Sequence, residues 1–314
     1  MPHDFTVYLR TFQKIKANLI RTKTIMIKIE QISNLRNQLG EGPLWDEQLQ
    51  CLFWVDSLKG EILRLETNGR IDRYNMREMI GSLAIKDNNT AIIALRKGLH
   101  FFSFSNQSLK KICDLEKDQF DTRFNDGKTD RQGNFIVGTM CMKYRKNPRA
   151  ALYRINRELK IEVIEKDVIV ANGPCFSPDG TVFYFNDGRR RILAYDYDPK
   201  GALTNKRIFF DGRAYGTSSD GATVDADGNV WTALTGSQEI GCISPSGNLT
   251  TRISMPVKLP SSVIFGGPNL DELFVTSIKN SGNRVSSEYL AGSLFRIKNL
   301  GARGIAETRF KDSS

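Results

Sequence analysis

Residues 177–187 read SPDGTVFYFND, a pattern that recurs along the chain. Ser-Pro-Asp-Gly is typical of a tight turn, because proline fixes one backbone angle and glycine tolerates the left-handed conformation. The VFYF run that follows is β-branched and aromatic, which favours a β-strand. A turn followed at once by such a strand recurs five more times: DEQLQCLFWVD (46–56), KDNNTAIIALR (86–96), DRQGNFIVGTM (130–140), DADGNVWTALT (225–235) and PNLDELFVTSI (268–278).

The repeats share a period of about 45 residues. One central residue aligns in each strand, and successive members of the set lie 39, 43, 48, 47 and 43 residues apart: Trp54, Ile93, Ile136, Tyr184, Trp231 and Phe274. A second strand-like phrase follows each one: EILRLE (61–66), LHFFSF (99–104), ALYRIN (151–156), RILAYD (191–196), IGCISP (240–245) and SLFRIK (293–298). Six units with room for about four strands each predict an all-β, six-bladed β-propeller, with the aligned residues in its core.

The first 25 residues differ from the rest of the chain. They carry four of the ten net positive charges and contain no turn–strand repeat. We interpret residues 1–25 as a basic extension, either flexible or a non-native start, although their apolar residues could also line a helix as in a transit peptide. Residues 26–314 are then expected to form a single propeller domain.

Composition argues against several classes of function. The net charge of +10 would suit nucleic acid, but beyond residue 25 it is spread without a basic run, so no nucleic-acid partner is expected. No apolar stretch approaches the roughly 20 residues that cross a bilayer, so no membrane partner is expected either. The five cysteines include no C-x-x-C pair, which favours a reducing, cytoplasmic location. Only His3 and His100 are available, which leaves little material for a Ser-His-Asp triad.

The repeat also predicts which residues face the central channel, since the innermost strand of each blade precedes the turn. Counting back five residues from the turn gives a polar residue in four blades: Glu41, Asn125, Asn172 and Asp220. The other two blades give Gly81 or Ser82, and Ser262. Carboxylate and amide oxygens without His or Cys suit a hard cation such as Ca²⁺, Mg²⁺ or Mn²⁺, with Zn²⁺ or Fe²⁺ also compatible. The alternative is that these are ordinary polar residues at strand ends.

Five motifs resemble the regucalcin, gluconolactonase and luciferin-regenerating enzyme family, and the similarity runs in order from about residue 30 to residue 300. They are LGEGPLWD (39–46), RFNDGKTDRQGNFIVGTM (123–140), ANGPCFSPDG (171–180), SDGATVDADGNVW (219–231) and FGGPNLDELFVTS (265–277). The resemblance implies a six-bladed propeller, in agreement with the repeat count. It further implies one divalent cation, Ca²⁺ first among the candidates, held by Glu41, Asn172 and Asp220 with Asn125 nearby. Arg123 and Asn125 match family positions that contact a sugar-lactone substrate.

Two departures from the family pattern affect these expectations. Ser219 stands where the family usually has proline before the Asp-Gly of the last ligand motif, so this segment is expected to be slightly freer. By equal counting, Lys143 stands where some animal members have a glutamate that faces the substrate. We interpret Lys143 as a substrate contact, with a solvated loop lysine as the alternative. Because of this change of charge, the natural lactone cannot be copied from those relatives.

The function expected from these residues is metal-dependent hydrolysis of a sugar lactone, with Asp220 also accepting the proton of the attacking water. A Ser or Cys nucleophile is disfavoured, because no histidine is placed to activate it. The first alternative is hydrolysis of another ester or an organophosphate on the same metal. The second is a calcium-binding regulatory protein without catalysis. An interaction platform fits poorly with carboxylates that converge on the axis. The expected partner is a small sugar lactone, and the protein is expected to be a monomer or a dimer.

Overall fold

The computed structural model describes residues 4–7, 26–143 and 148–313, and almost all of their regular structure is β-strand. The strands, in chain order and grouped by blade, are β1 (Asp4–Val7) and β2 (Ile27–Gln31) of blade 6; β3 (Gly40–Asp46), β4 (Cys51–Asp56), β5 (Glu61–Leu65) and β6 (Ile71–Asn75) of blade 1; β7 (Ile80–Ile85), β8 (Thr90–Leu95), β9 (Gly98–Ser103) and β10 (Leu109–Asp114) of blade 2; β11 (Thr122–Thr129), β12 (Phe135–Cys141), β13 (Ala150–Ile155) and β14 (Ile161–Val168) of blade 3; β15 (Asn172–Phe176), β16 (Val182–Asn186), β17 (Arg191–Asp196) and β18 (Thr204–Asp211) of blade 4; β19 (Ser219–Val224), β20 (Val230–Leu234), β21 (Glu239–Ile243) and β22 (Leu249–Ser254) of blade 5; and β23 (Pro260–Gly266), β24 (Glu272–Ser277) and β25 (Phe295–Lys298) of blade 6. A short 3₁₀ helix, Gly212–Tyr215, follows β18.

Each blade is an antiparallel sheet of four strands, and the prediction of a six-bladed propeller is confirmed. The ring closes in blade 6, where β2 from the beginning of the chain pairs with β25 near its end. Strand β1 adds a fifth strand outside β2. The expected extension, residues 1–25, otherwise lies outside the described residues, so its interpretation stays a prediction.

The core lies between neighbouring blades, whose sheets pack face to face. One cluster joins Phe53 and Val55 of β4 to Leu83 of β7 and Ile93 of β8. The six residues aligned from the repeat are all buried, as predicted. Among the described residues, no helix has the length and apolar character needed to cross a membrane.

The six inner strands share a β-bulge at the same position of the repeat. The pairing of β3 with β4 shifts between Glu41 and Leu44, and the corresponding shift in β15 falls between Asn172 and Cys175. Equivalent shifts interrupt β7, β11, β19 and β23. A bulge inserts an extra residue, bends the strand and turns a side chain toward a new direction. The bulges therefore aim the first residues of each inner strand at the channel axis.

Gly173 shows how closely the inner strands approach one another at the bulges. Its φ is +54°, a left-handed conformation that glycine adopts without steric cost. A Cβ atom here would lie 2.6 Å from the backbone nitrogen of Ala222 and 2.7 Å from the carbonyl oxygen of Asp220. Blades 4 and 5 can therefore bring their polar residues together only with glycine at this position.

Residues 303–313 cross the end of the channel opposite the bulges. The Arg309 guanidinium donates two hydrogen bonds of 2.7 Å to the Asp46 carboxylate at the end of β3. Glu307 Oε1 lies 2.9 Å from the ammonium group of Lys128 on β11, and both side chains are largely buried. These contacts cover the end of the channel that lies away from the bulges.

Candidate active site

A cavity of about 330 Å³ lies at the end of the channel where the inner strands begin. Five of the six site residues expected from the sequence line it: Glu41, Arg123, Asn125, Asn172 and Asp220. They come from four different inner strands, each aimed inward by its bulge. The sixth, Lys143, follows β12, is exposed and is not among the lining residues. Its role as a substrate contact stays a prediction and is not used below.

Asn125 links two blades through its side-chain amide. Its Nδ2 donates to Asn172 Oδ1 at 2.5 Å and to the Ala171 carbonyl oxygen at 2.9 Å. Its Oδ1 accepts a hydrogen bond of 3.2 Å from Arg123, which also donates to the Phe124 carbonyl oxygen at 2.7 Å. This network orients the amide, with its oxygen toward the guanidinium and its nitrogen toward Asn172.

Glu41 is a buried carboxylate in an unfavourable environment. Its Oε2 is buried and has no hydrogen-bond partner among the residues that the structure describes. Burial raises the pKa of Glu41 well above its ordinary value, and the carboxylates of Asp220 and Asp126 raise it further. The Arg123 guanidinium lowers this pKa only in part. A cation beside Glu41 would therefore compensate an unfavourable buried charge.

Asp126, the residue after Asn125, is a second buried carboxylate close to this cluster. Its Oδ2 accepts a hydrogen bond of 2.7 Å from the Gly173 N–H and so holds the bulge of the next blade. Burial raises the pKa of Asp126 to about 6, against the lowering effect of that hydrogen bond and of the Arg123 and Lys128 charges. The sequence analysis did not single out Asp126, although its place beside Asn125 was a usable signal.

Asp220 lies inside the bulge of β19 and contacts two neighbouring groups. Thr235 Oγ1 donates to its Oδ2 at 3.3 Å, and the Arg284 guanidinium lies 3.5 Å from the same oxygen. Arg284 belongs to the segment between β24 and β25, which has no position in the repeat. Both partners hold the Asp220 carboxylate at the wall of the cavity.

Ser219 is restrained by a side chain instead of a proline ring. Asn186, at the end of β16, donates from Nδ2 to the Ser219 carbonyl oxygen and, at 3.1 Å, to its hydroxyl. Ser219 is itself buried. Asn186 therefore restrains this segment in the absence of the proline, and its greater freedom relative to relatives with proline stays a prediction.

The donor set fits a hard divalent cation. Glu41 and Asp220 supply carboxylates and Asn172 supplies an amide oxygen, all lining one cavity. Among the described residues no group of three or more His, Cys, Asp or Glu is placed to hold a metal, so a site here needs the amide as its third ligand. The partnerless Oε2 of Glu41 supports the fit, since a bound cation would compensate this buried charge.

Three consecutive arginines follow β16, and the middle one differs from its neighbours. Arg189 and Arg191 share the buried carboxylate of Asp187, at 2.7 and 2.8 Å. Arg190 lines the cavity instead, and its Nε donates to the Thr217 carbonyl oxygen at 2.9 Å. From the sequence, this run is indistinguishable from a charged surface loop.

Replacing Asp187 with asparagine is expected to lower the melting temperature at neutral pH, because two guanidinium groups lose their shared carboxylate. Burial raises the pKa of Asp187, but the hydrogen bonds and charges of Arg191 and Arg189 outweigh burial and hold it below its ordinary value. The stabilisation is therefore present above about pH 4 and is lost as the pH falls through the folded-state pKa. Melting curves of wild type and Asp187→Asn should differ by a constant amount from about pH 8 to about pH 5 and converge below about pH 4. A difference undiminished at about pH 3 would contradict this account.

Comparison with protein families gives a match to the SMP-30/Gluconolactonase/LRE-like region over residues 39–279. The chain belongs to this family. It is 30% identical over 277 residues to the 6-deoxy-6-sulfogluconolactonase of Pseudomonas putida, covering 87% of this chain and 94% of that protein. It is 31% identical over 287 residues to the L-arabinolactonase of Azospirillum brasilense, covering 89% of this chain and 94% of that protein.

A solved structure of a family relative has the same fold. It is that of a calcium-binding protein, regucalcin, from Agrobacterium tumefaciens strain C58, with a TM-score of 0.82 and 26% identity. The similarity covers 90% of this chain and 96% of that one. The family resemblance inferred from the motifs is confirmed, and all five motifs lie within the matched residues 39–279. The lactonase names of two relatives support an enzyme.

Proposed function

We propose that this protein is a divalent-metal-dependent hydrolase of sugar lactones. One observation carries the proposal: two carboxylates, two amides and a buried guanidinium line a single cavity in a chain whose relatives include named sugar lactonases. Glu41, Asn172 and Asp220 would hold the cation. Ca²⁺ is our first choice, in view of the calcium-binding relative, with Zn²⁺, Mg²⁺, Mn²⁺ and Fe²⁺ as alternatives.

The chain's own residues can perform the remaining tasks of hydrolysis. Arg123 would donate hydrogen bonds to substrate oxygens. Asn125 would accept a hydrogen bond from a substrate hydroxyl through its Oδ1, because both of its N–H groups already donate to Ala171 and Asn172. Asp220 would accept the proton of the attacking water while the new carbon–oxygen bond forms. The same proton then passes to the ring oxygen as the ester bond breaks, which yields the open-chain acid. When bound, the cation supplies Lewis-acid polarisation of the lactone carbonyl.

Metal removal tests the proposal directly. Treatment with a chelator is expected to abolish hydrolysis of glucono- and arabinolactones, and one divalent ion should restore it on reconstitution. A pH-stat assay measures the acid released, and a panel of aryl esters and phosphotriesters run in parallel tests the other-ester alternative. Full activity in chelator, with the metal content verified by elemental analysis, would contradict a metal-dependent mechanism.

A calcium-binding protein without catalysis is the second candidate, and the name of the Agrobacterium relative favours it. It predicts calcium binding by calorimetry together with no lactone hydrolysis under any metal. The same reconstitution series therefore separates the two candidates. A cytoplasmic location and a monomeric or dimeric state stay predictions from the sequence.

A further inference from the structure

The charges that line the cavity are unequal in number. Among the described residues that line it, the charged ones are three arginines and two carboxylates: Arg123, Arg190, Arg284, Glu41 and Asp220. In the proposed function the two carboxylates bind a divalent cation, which leaves the three guanidinium charges in excess. A neutral sugar lactone would leave this excess uncompensated, whereas an anionic ligand would match it.

The three arginines lie at two depths. Arg123 is 6% exposed and lies on an inner strand beside Asn125. Arg284 has a side chain that is 37% exposed, and Arg190 is also exposed. The two exposed arginines belong to blades 6 and 4, on either side of blade 5, which carries Asp220. A substrate whose lactone ring reaches the inner residues would therefore present its outward-facing groups to Arg190 and to Arg284, which lies beside Asp220.

Arg190 is positioned to bind a ligand and not a carboxylate of the protein. In the described part of the chain it makes no ion pair, although Arg189 and Arg191 on either side both pair with Asp187. Its backbone adopts a φ of +62°, which is uncommon for a residue with a side chain. Its Nε is anchored to the Thr217 carbonyl oxygen, so the side chain is held at the cavity wall. The terminal guanidinium nitrogens make no hydrogen bond to the described residues.

Arg284 is only loosely held in the structure. Its contact with Asp220 is single and long, at 3.5 Å, which is at the limit of a hydrogen bond. A cation bound at Asp220 would weaken this contact further by sharing the same carboxylate. The guanidinium can then turn toward a ligand anion, for which its planar fork of donors is well suited.

We propose that Arg190 and Arg284 form a subsite for an anionic group of the substrate in the outer part of the cavity. The substrate class is then a sugar lactone that carries a carboxylate, sulfonate or phosphate. This inference rests on the proposed lactonase function and narrows it. The three anions share the same recognition chemistry, which is bidentate hydrogen bonding to a guanidinium.

The test compares matched substrates that differ only in charge. D-glucono-1,4-lactone ends in a neutral hydroxymethyl group, and D-glucaro-1,4-lactone has a carboxylate in its place. D-glucono-1,5-lactone and its 6-phosphate form the second pair. For wild type, kcat/KM is expected to be about 10- to 100-fold higher for at least one anion than for its neutral partner, the effect expected of a hydrogen bond to a charged group. This preference should decrease as the salt concentration rises.

Variants show whether an anion preference comes from the two subsite arginines or from the net positive charge of the protein. Arg190→Gln and Arg284→Gln are each expected to reduce the anion-to-neutral ratio of kcat/KM by about 10-fold or more, and Arg190→Lys should retain part of it. Arg213→Gln is the matched control, because it removes one positive charge from an exposed pair with Asp211 that does not line the cavity. The ratio should be unchanged in this control.

The possible results test the anion subsite separately from the proposed lactonase function. Hydrolysis of the neutral lactones at rates equal to or above those of the anions would overturn the subsite and leave the lactonase function intact. An anion preference that Arg190→Gln and Arg284→Gln both fail to reduce would also overturn the subsite. Failure to hydrolyse any of the four lactones, with any divalent ion added, would overturn both.

Discussion

Asp220→Ala is expected to abolish lactone hydrolysis, with kcat reduced by about 1000-fold or more, because one side chain performs two tasks. As a proton acceptor alone, such a group contributes roughly 100- to 10,000-fold. As a carboxylate ligand, it also supplies part of the charge that holds the cation. The variant should therefore lose both turnover and metal binding.

The structure indicates that this loss need not come from misfolding. The Asp220 side chain lies at the cavity wall, where it accepts a 3.3 Å hydrogen bond from Thr235 and lies 3.5 Å from the Arg284 guanidinium. Strand β19 keeps its pairing with β20 and its close approach to Gly173, since both involve backbone atoms. Asp220→Asn, which preserves the shape of the side chain, should be as inactive as the alanine variant.

Three measurements check the Asp220 prediction. Initial rates with saturating lactone give kcat, calorimetry gives the metal affinity, and a thermal melt in chelator shows whether the fold is retained. Asp211→Asn serves as the control, because it removes a carboxylate that pairs with exposed Arg213 outside the cavity. Activity of a folded Asp220→Ala protein within tenfold of wild type would remove Asp220 from the mechanism.

The fold and the centre of the site could be predicted because both follow the repeat. Every blade has a turn before its second strand, and in blades 1, 3, 4 and 5 counting back five residues from that turn reaches the cavity. The count remains valid because the bulge recurs at the same place. Glu41, Asn125, Asn172 and Asp220 line the cavity for this reason.

The residues that the sequence did not predict lie where the repeat gives no register. Arg284 comes from the long segment between β24 and β25, and Arg190 comes from a turn. The pairing of Lys128 with Glu307 joins residues 179 positions apart, and no local pattern encodes such a contact. The expectation for Lys143 also came from counting, and Lys143 lies beyond the end of β12, so its role stays a prediction.

Glu41→Gln is expected to abolish activity while it stabilises the metal-free protein. The buried Oε2 of Glu41 has no hydrogen-bond partner in the described part of the chain, and the neighbouring Asp220 and Asp126 carboxylates repel its charge. Glutamine has the same shape and no charge, so the free energy of unfolding in chelator should rise by about 1–3 kcal/mol. The Glu41 carboxylate therefore destabilises the metal-free protein, and the same carboxylate would bind the metal when it is present.

Adding the metal should reverse the order of stability. Once the ion concentration exceeds the dissociation constant of the metal, the free energy of unfolding of wild type rises with the logarithm of that concentration. The variant has lost a ligand, so its free energy of unfolding should rise little. Denaturant unfolding with and without the ion measures both values. Glu116→Gln is the matched control, since Glu116 also has a buried oxygen without a partner but does not line the cavity. The effect of Glu116→Gln on the free energy of unfolding should be the same with and without the ion. If the ion stabilises Glu41→Gln as much as it stabilises wild type, Glu41 is not a ligand.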